Sequence, residues 1–383
     1  MTVSISRRTA LALAVGLPIV LAKPAAALQP ARLTLPASTG RHRVASTSMH
    51  LVDASRPDPW VPTQPFRELM IQLWYPAGAV QGYPRVPWMT PGTARAYEQV
   101  HGYPALDLPI TDAYLGAPAH QHRGGWPVVL YSHGLGGNRA EGTALVEDLA
   151  SHGYVVVTID HVHDADVVEF PDGRVETSAM PPLTDDNEIQ VTTKAIESRV
   201  ADVRFVLDQL HALPVALDLG AVGMFGQSDG GATTAHAVHV DRRITAGVNL
   251  DGTLWTPEAV AGSDRPFLLF GRQDLDPREA STWAAFRANQ RGPQLQLNLT
   301  GAKHLTFTDL AVLLPQAASA LHLPPDRVAA LVGTINGQRA IAVQRAYVRA
   351  FFGKYLRRHD SPLLTGPSPR YPEVQYLRST WTP

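Results

Sequence analysis

Gly226-Gln227-Ser228-Asp229-Gly230 is the segment of this chain whose residue types and spacing most directly suggest chemistry. A serine with glycine two residues to either side fits a turn so tight that its neighbours must be small, which pushes the hydroxyl outward. The apolar stretch Ala221–Phe225 ahead of it reads as a strand, and Gly231–His239 behind it can be helical. Strand before and helix after is the context such an elbow requires. A serine hydroxyl is a weak nucleophile near neutral pH, so a base must take its proton and a carboxylate must orient that base. The chemistry expected is acyl transfer through a covalent acyl-serine. The chain has no cysteine, which excludes a thiol nucleophile, disulfides and Cys-ligated zinc.

His304 is the base this reading selects. It follows the alternating segment Gln294–Leu299 in the loop Thr300-Gly301-Ala302-Lys303-His304, and around such an elbow the chain order is serine, acid, histidine. Of the other downstream histidines, His236 and His239 fall on the helix after the elbow, and His322 and His359 fall in or near terminal helices. The acid stays open on spacing alone. Asp251 ends the apolar run Ala246–Leu250, whereas Asp274 and Asp276 lie beyond the next run, Phe267–Phe270. Either strand end can face the same histidine, and the carboxylate not used there would cap a loop or turn. An oxyanion hole needs backbone donors. One is the N–H of Asp229, directly after the serine; the other is assigned to Leu135 in the glycine-rich Ser132-His133-Gly134-Leu135-Gly136-Gly137. No Gly-Lys-Ser/Thr or G-x-G-x-x-G pattern accompanies that loop, so it does not read as a nucleotide cradle.

These residues need a scaffold that brings distant loops to one edge. Val128–Tyr131, Val155–Ile159, Ala221–Phe225, Ala246–Leu250 and Phe267–Phe270 are short unbroken apolar runs, the pattern of strands buried on both faces of a parallel sheet. Among the intervening segments, Ile196, Val200, Val203, Leu207 and Leu210 form the apolar stripe of an amphipathic helix. This alternation implies an α/β architecture: a doubly wound, mostly parallel sheet with helices on both faces, which binds ligands at the carboxyl ends of its strands. Glu68–Tyr75 adds a strand that stops at Pro76. Residues 77–126, rich in proline, glycine and aromatics, read as a long excursion with a short helix or two. Ala340–Leu356 reads as an amphipathic C-terminal helix packed on the sheet.

With these motifs in place, the chain resembles the α/β-hydrolases and, among them, the plasma-type (type II) platelet-activating-factor acetylhydrolases and their bacterial relatives. Val52-Asp53-Ala54-Ser55-Arg56 and Leu73-Trp74-Tyr75-Pro76 are similar to that family's opening strands. Ser132-His133-Gly134-Leu135-Gly136 and Leu149-Ala150-Ser151-His152-Gly153-Tyr154 resemble its oxyanion loop and following helix. Leu250-Asp251-Gly252-Thr253-Leu254-Trp255 and Lys303-His304-Leu305-Thr306-Phe307-Thr308-Asp309 resemble the segments carrying its acid and histidine. The resemblance implies the α/β-hydrolase fold and ester hydrolysis of the 1-alkyl-2-acetylglycerophosphocholine type, without a cofactor. It also implies a triad of Ser228, Asp251 and His304, with Leu135 and Asp229 as oxyanion donors. The family's acid comes one strand after the nucleophile, which favours Asp251. A cutinase-like polyester hydrolase or lipase would use Asp274 instead, and a non-catalytic binding protein on this fold would ordinarily lack the serine or the histidine. The chain departs from the family at Gln227, where histidine is usual, and at Asp229, where an apolar residue is usual. A carboxylate beside the nucleophile would repel an anionic substrate group and tolerate a cationic one.

Asp160-His161-Val162-His163-Asp164-Ala165-Asp166 is dense in potential metal ligands but reads as a hydrogen-bonded loop, and no metal is expected. Trp88 and Trp255 are the candidates for a substrate pocket. At the N-terminus, Arg7-Arg8, the apolar Thr9–Leu21 and Ala25-Ala26-Ala27 make the pattern of an export signal over residues 1–27. It is close to a twin-arginine signal apart from Ala10, and its apolar run is shorter than the ~20 residues that span a bilayer. Residues 28–45 read as a linker and 46–383 as one catalytic domain, with the protein expected to be secreted. Of the 383 residues, 45% are hydrophobic, enough for one large core, and 17% are charged with a net charge of −1. That balance gives no electrostatic footing for nucleic acid. The expected partner is a small-molecule or lipid ester, with transient contact to a lipid surface.

Overall fold

The computed structural model describes residues 33–379. Five apolar runs become the middle of a sheet: β5 (Trp126–Ser132), β6 (Val155–Asp160), β9 (Leu217–Gln227), β10 (Ile244–Leu250) and β11 (Phe267–Arg272). Before them in the chain come β1 (Val44–Asp53), β2 (Arg67–Pro76), β3 (Arg85–Pro87) and β4 (Ile110–Leu115). After them come β12 (Gln294–Leu299) and β13 (Val374–Ser379), while β7 (Val167–Glu169) and β8 (Val175–Thr177) form a separate hairpin. The eleven-stranded sheet runs β13-β12-β11-β10-β9-β5-β6-β2-β1-β4-β3. From β6 to β12 every neighbouring pair is parallel, and β2 and β13 pair antiparallel outside them. The chain leaves β5, forms β6 on one side, and returns to form β9 on the other. Strand order therefore reverses at β5, and the crevice between the carboxyl ends of β5 and β9 is the switch point where such sheets bind ligands.

Helices cover both faces because alternate strand residues point to opposite sides. On one face α2 (Thr143–Ser151) and α9 (Gly337–Arg357) pack Leu145, Leu149, Tyr347, Phe351 and Phe352 against Val129, Tyr131, Phe225 and Val248. On the other, α3 (Glu188–Gln209), α4 (Asp229–Val240) and α6 (Pro277–Asn289) pack against Val128, Leu130, Val222 and Met224. The expected stripe Ile196, Val200, Val203, Leu207 and Leu210 is buried throughout. Phe352 approaches β9 so closely that a Cβ at Gly223 would lie 2.6 Å from its ring. Removing a fully buried phenylalanine here would cost roughly 3–5 kcal/mol.

Two expectations need correction. The stretch 77–126 is not only an excursion: its one helix, α1 (Pro91–His101), is flanked by β3 and β4, which extend the sheet at its edge. The segment read as a linker is also tied down. Its Thr39 N–H donates to Asp148 at 2.8 Å and Gly40 N–H to Ser151 Oγ at 2.9 Å, and β1 begins at Val44, inside it. Its polar composition conceals backbone donors that pair with the end of α2. The expected export signal lies outside the described residues. Among those described, no helix is long and apolar enough to cross a membrane.

Candidate active site

Ser228 is the single residue between β9 and α4, and it holds φ 55° and ψ −122°. A non-glycine residue there carries strain of about 1–3 kcal/mol, which the surrounding structure must enforce. It does so by close approach. A Cβ at Gly226 would lie 2.2 Å from the Gly230 carbonyl carbon, and one at Gly230 would lie 2.0 Å from the Ser132 oxygen. Only glycines allow the strand, the helix and the end of β5 to meet so tightly. The Ser228 backbone N–H donates to Leu250 O at 2.9 Å, tying the elbow to β10.

His304 opens a short 3₁₀ turn, His304–Phe307, beyond β12. Its Nε2 lies 3.0 Å from Ser228 Oγ and its Nδ1 lies 2.7 Å from Asp251 Oδ2. The turn is fixed from behind: Thr306 Oγ1 accepts from Lys303 N–H and donates to Val332 O, and Gln344 of α9 donates to Thr306 O. Asp251 follows β10 with φ 55° and is fully buried. Its Oδ1 accepts the Arg272 backbone N–H at 2.8 Å and its Oδ2 accepts Arg272 Nη1 at 2.5 Å. Burial alone would raise the Asp251 pKa, yet the Arg272 guanidinium and the His304 contact hold its carboxyl well below the usual carboxylate range. It is therefore ionised across ordinary pH and can hold a histidine ring in one orientation.

The two candidate acids are thus placed apart. Asp274 is exposed, with its carboxylate 3.7 Å from Lys303 Nζ, and Asp276 caps α6 by accepting Glu279 N–H at 2.8 Å. The histidine's Nδ1 faces Asp251, whereas the Asp274 carboxylate faces Lys303. Arg272, a residue that no motif in the sequence marks, places a guanidinium between Asp251 and Glu279. The one signal that could have marked it is a charge closing an otherwise apolar strand.

Beside Ser228, the Gly134 segment closes on the elbow, where a Cβ at Gly134 would lie 3.4 Å from Ser228 Cβ. Leu135 follows it, partly exposed, and Asp229 is the first residue of α4. Gln227 places its Nε2 3.2 Å from His304 Nε2 and 3.3 Å from His304 O, so its side chain touches the histidine. Asp229 accepts the indole N–H of Trp255 at 3.1 Å, and the Arg278 guanidinium lies 5.2 Å over the Trp255 ring. Trp255 is therefore at the site. Trp88 is not a pocket wall: it is 4% exposed, and its indole donates to Ala140 O and Asp309 Oδ2, pinning the segment after the histidine.

The loop 160–166 distributes its ligands among separate partners. Arg139 pairs with Asp160, His161 Nδ1 lies 2.9 Å from Asp202, and His163 Nδ1 lies 2.9 Å from Asp58. Asp164 pairs with Arg199, and Asp166 meets His101 and Asn138. Among the described residues no group of three or more such side chains converges as a metal site would require.

Comparison with known proteins gives a consistent result. The family model described as platelet-activating factor acetylhydrolase, isoform II, matches residues 72–213, a span that holds the Gly134 loop and ends before Ser228. A probable 1-alkyl-2-acetylglycerophosphocholine esterase of Arthroderma benhamiae is 30% identical over 270 residues, 68% of this chain and 68% of that protein. The platelet-activating factor acetylhydrolase of Canis lupus familiaris is 28% identical over 175 residues, 38% of this chain and 39% of its own. Among solved structures, a ferulic acid esterase from Streptomyces cinnamoneus matches with a TM-score of 0.79 and 34% identity, covering 90% of this chain and 99% of that one. The large, mostly parallel sheet and these similarities agree on a carboxylic ester hydrolase of the α/β-hydrolase fold, and the chain belongs to the platelet-activating factor acetylhydrolase, isoform II, family.

Proposed function

We propose that this chain hydrolyses a carboxylic ester through an acyl-enzyme on Ser228, with His304 as general base and acid and Asp251 as the group that holds the imidazole. The carrying observation is the single ring of His304, 3.0 Å from Ser228 Oγ on one side and 2.7 Å from Asp251 Oδ2 on the other. In this reading Nε2 takes the serine proton as Oγ attacks the carbonyl, and the ionised Asp251 stabilises the imidazolium. The N–H groups of Leu135 and Asp229 receive the oxyanion. The proton then passes to the leaving alcohol, and water repeats the sequence in reverse to release the acid.

The substrate class in this reading is an ester with a short acyl group. It is supported by the Arthroderma benhamiae relative, a probable 1-alkyl-2-acetylglycerophosphocholine esterase that matches 68% of this chain. A second reading, an ester of ferulic acid, is supported by the 34% identity to the Streptomyces cinnamoneus esterase over 99% of that chain. A panel of p-nitrophenyl esters from acetate to decanoate, with methyl ferulate, separates the two. Acetate turnover that falls steeply with chain length supports the first reading, and preference for methyl ferulate supports the second. Ser228→Ala is expected to abolish both activities; a variant that keeps its rate would contradict the acyl-enzyme reading.

Export belongs to the same proposal, with residues 1–27 acting as a signal that is removed. Support comes from Arg7-Arg8, the apolar run and the small residues ahead of Leu28. Protein recovered from culture medium is expected to begin at or near Leu28. Recovery only from cells, still carrying Met1, would contradict it.

A further inference from the structure

Arg199 lies on α3, fully buried, and its carboxylate partner is Asp164, bonded through Nε at 2.7 Å and Nη2 at 2.5 Å. A buried guanidinium is costly to desolvate and repays that cost only when its other N–H groups are also satisfied. Here those groups turn to backbone rather than to a second acid. Nη1 donates to the His133 carbonyl at 2.5 Å and Nη2 to the Gly134 carbonyl at 3.1 Å. The Gly134 carbonyl also lies 2.7 Å from His133 Nδ1. Burial, with Arg199 close by, holds His133 well below its ordinary pKa, so the ring is neutral and the nitrogen facing a carbonyl carries its proton. Two donors thus fix one carbonyl.

That carbonyl belongs to the same peptide unit as the Leu135 N–H. Peptide units are planar and trans, so their C=O and N–H point in opposite directions; no cis bond occurs among the described residues. Holding Gly134 C=O toward Arg199 therefore turns Leu135 N–H the other way, and the bond to His133 C=O does the same for Gly134 N–H. Glycines at 134, 136 and 137 would otherwise leave this loop free to rotate its peptide planes. We propose that Arg199 is a positioning residue for ester hydrolysis: by holding two carbonyls behind the loop, it aims the Leu135 N–H at the oxyanion formed on Ser228. The proposal rests on the acyl-enzyme reading above. It concerns a residue that touches neither substrate nor nucleophile.

The test uses the whole enzyme with Arg199→Lys and, separately, His133→Phe. Lysine keeps the charge beside Asp164, but one ammonium cannot reproduce the fork that reaches both carbonyls. Active sites are titrated to completion with a fluorophosphonate, and kcat on p-nitrophenyl acetate is expressed per titrated site. Binding of a trifluoromethyl ketone, which adds to serine to form a tetrahedral adduct, is measured in parallel. Arg199→Lys is expected to lower kcat per site on the order of 10- to 100-fold with KM within about threefold, and to weaken the ketone by the same factor as kcat/KM. His133→Phe should show the same pattern with a smaller loss, and it carries the comparison alone if Arg199→Lys does not fold. Unchanged kcat per site and unchanged ketone affinity, whatever the melting temperature, would overturn the role of Arg199. Wild-type enzyme that turns over ester but gives no fluorophosphonate-titrated serine would instead overturn the acyl-enzyme reading.

Discussion

Arg272→Met should damage both the stability of this enzyme and the pH dependence of its rate, by routes that can be separated. The guanidinium sits between two buried carboxylates, 2.5 Å from Asp251 Oδ2 and 2.8 Å from Glu279 Oε2. Removing one partner of a buried ion pair costs about 3–5 kcal/mol, because the remaining charge keeps its desolvation penalty. At ~2 °C per kcal/mol for a large domain, that is a fall in Tm of roughly 6–10 °C. The effect on rate follows from the sign of the Asp251 shift. Its folded pKa is depressed, so the stability it contributes is present above the unfolded pKa and is lost as pH falls through the folded value. Without Arg272 burial is opposed chiefly by the His304 contact, and that folded value rises. The fraction of Asp251 that is ionised then shrinks on the acid side, and the acid limb of kcat moves to higher pH. Differential scanning fluorimetry and a p-nitrophenyl acetate pH–rate profile measure the two consequences. Adding Glu279→Gln should recover part of the Tm and leave the displaced acid limb unchanged. An Arg272→Met enzyme with the wild-type pH profile would refute the reasoning, even if its Tm fell.

Asp251→Asn should lower kcat by about 10⁴-fold, as expected when the residue orienting the imidazole loses its charge, while Asp274→Asn should stay within threefold; kinetics on one ester decide between them. Replacing Asp229 with Asn should raise kcat/KM for an ester with an anionic acyl group on the order of 10-fold relative to a neutral one, since a charge at ~6 Å and effective dielectric ~20 repels it by up to ~3 kcal/mol. Equal kcat/KM ratios in the two enzymes would show that the carboxylate does not act on substrate choice. Asp309 gives a pH prediction. Burial, against bonds from Ala144 N–H and Trp88, pushes its carboxyl up from 3.8 to about 7. Between those values the folded state holds a proton the unfolded chain has lost, so stability falls as pH rises through the window and levels off above it. Asp309→Asn should therefore show a smaller drop in Tm between pH 5 and pH 8 than wild type, and an identical drop would contradict this assignment.

The elbow was legible because its requirements are local. Strand, tight glycine turn and helix are consecutive in the chain, and β9, Ser228 and α4 follow them. The parallel sheet was equally readable, since each central strand carries a short, largely apolar run. The proposed acid was harder. Asp251 and Asp274 both follow apolar strands, and what separates them is that Asp251 turns inward at φ 55° while Asp274 lies two residues past the end of β11, in solvent. Arg199 and Arg272 were invisible for a related reason. In a sequence an arginine reads as a solvated charge, and these two are buried against carboxylates, Asp164 and Asp251, that lie 35 and 21 residues away in the chain. The edge strands β3 and β4 were hidden by brevity: β3 has three residues, too few for any periodicity, and it exists because β4 pairs with it. Trp88 shows the limit of residue type, because an aromatic side chain looks the same whether it lines a cleft or pins a neighbouring segment.

The central claim is that Ser228 is the group that forms the acyl-enzyme, and covalent trapping tests it most directly. The enzyme is inactivated with a fluorophosphonate, digested, and the modified peptide sequenced by mass spectrometry. The account predicts one adduct, on Ser228, with inactivation proportional to its occupancy and no labelling of Ser228→Ala. Inactivation with the adduct on another residue, or full activity with Ser228 modified, would contradict it.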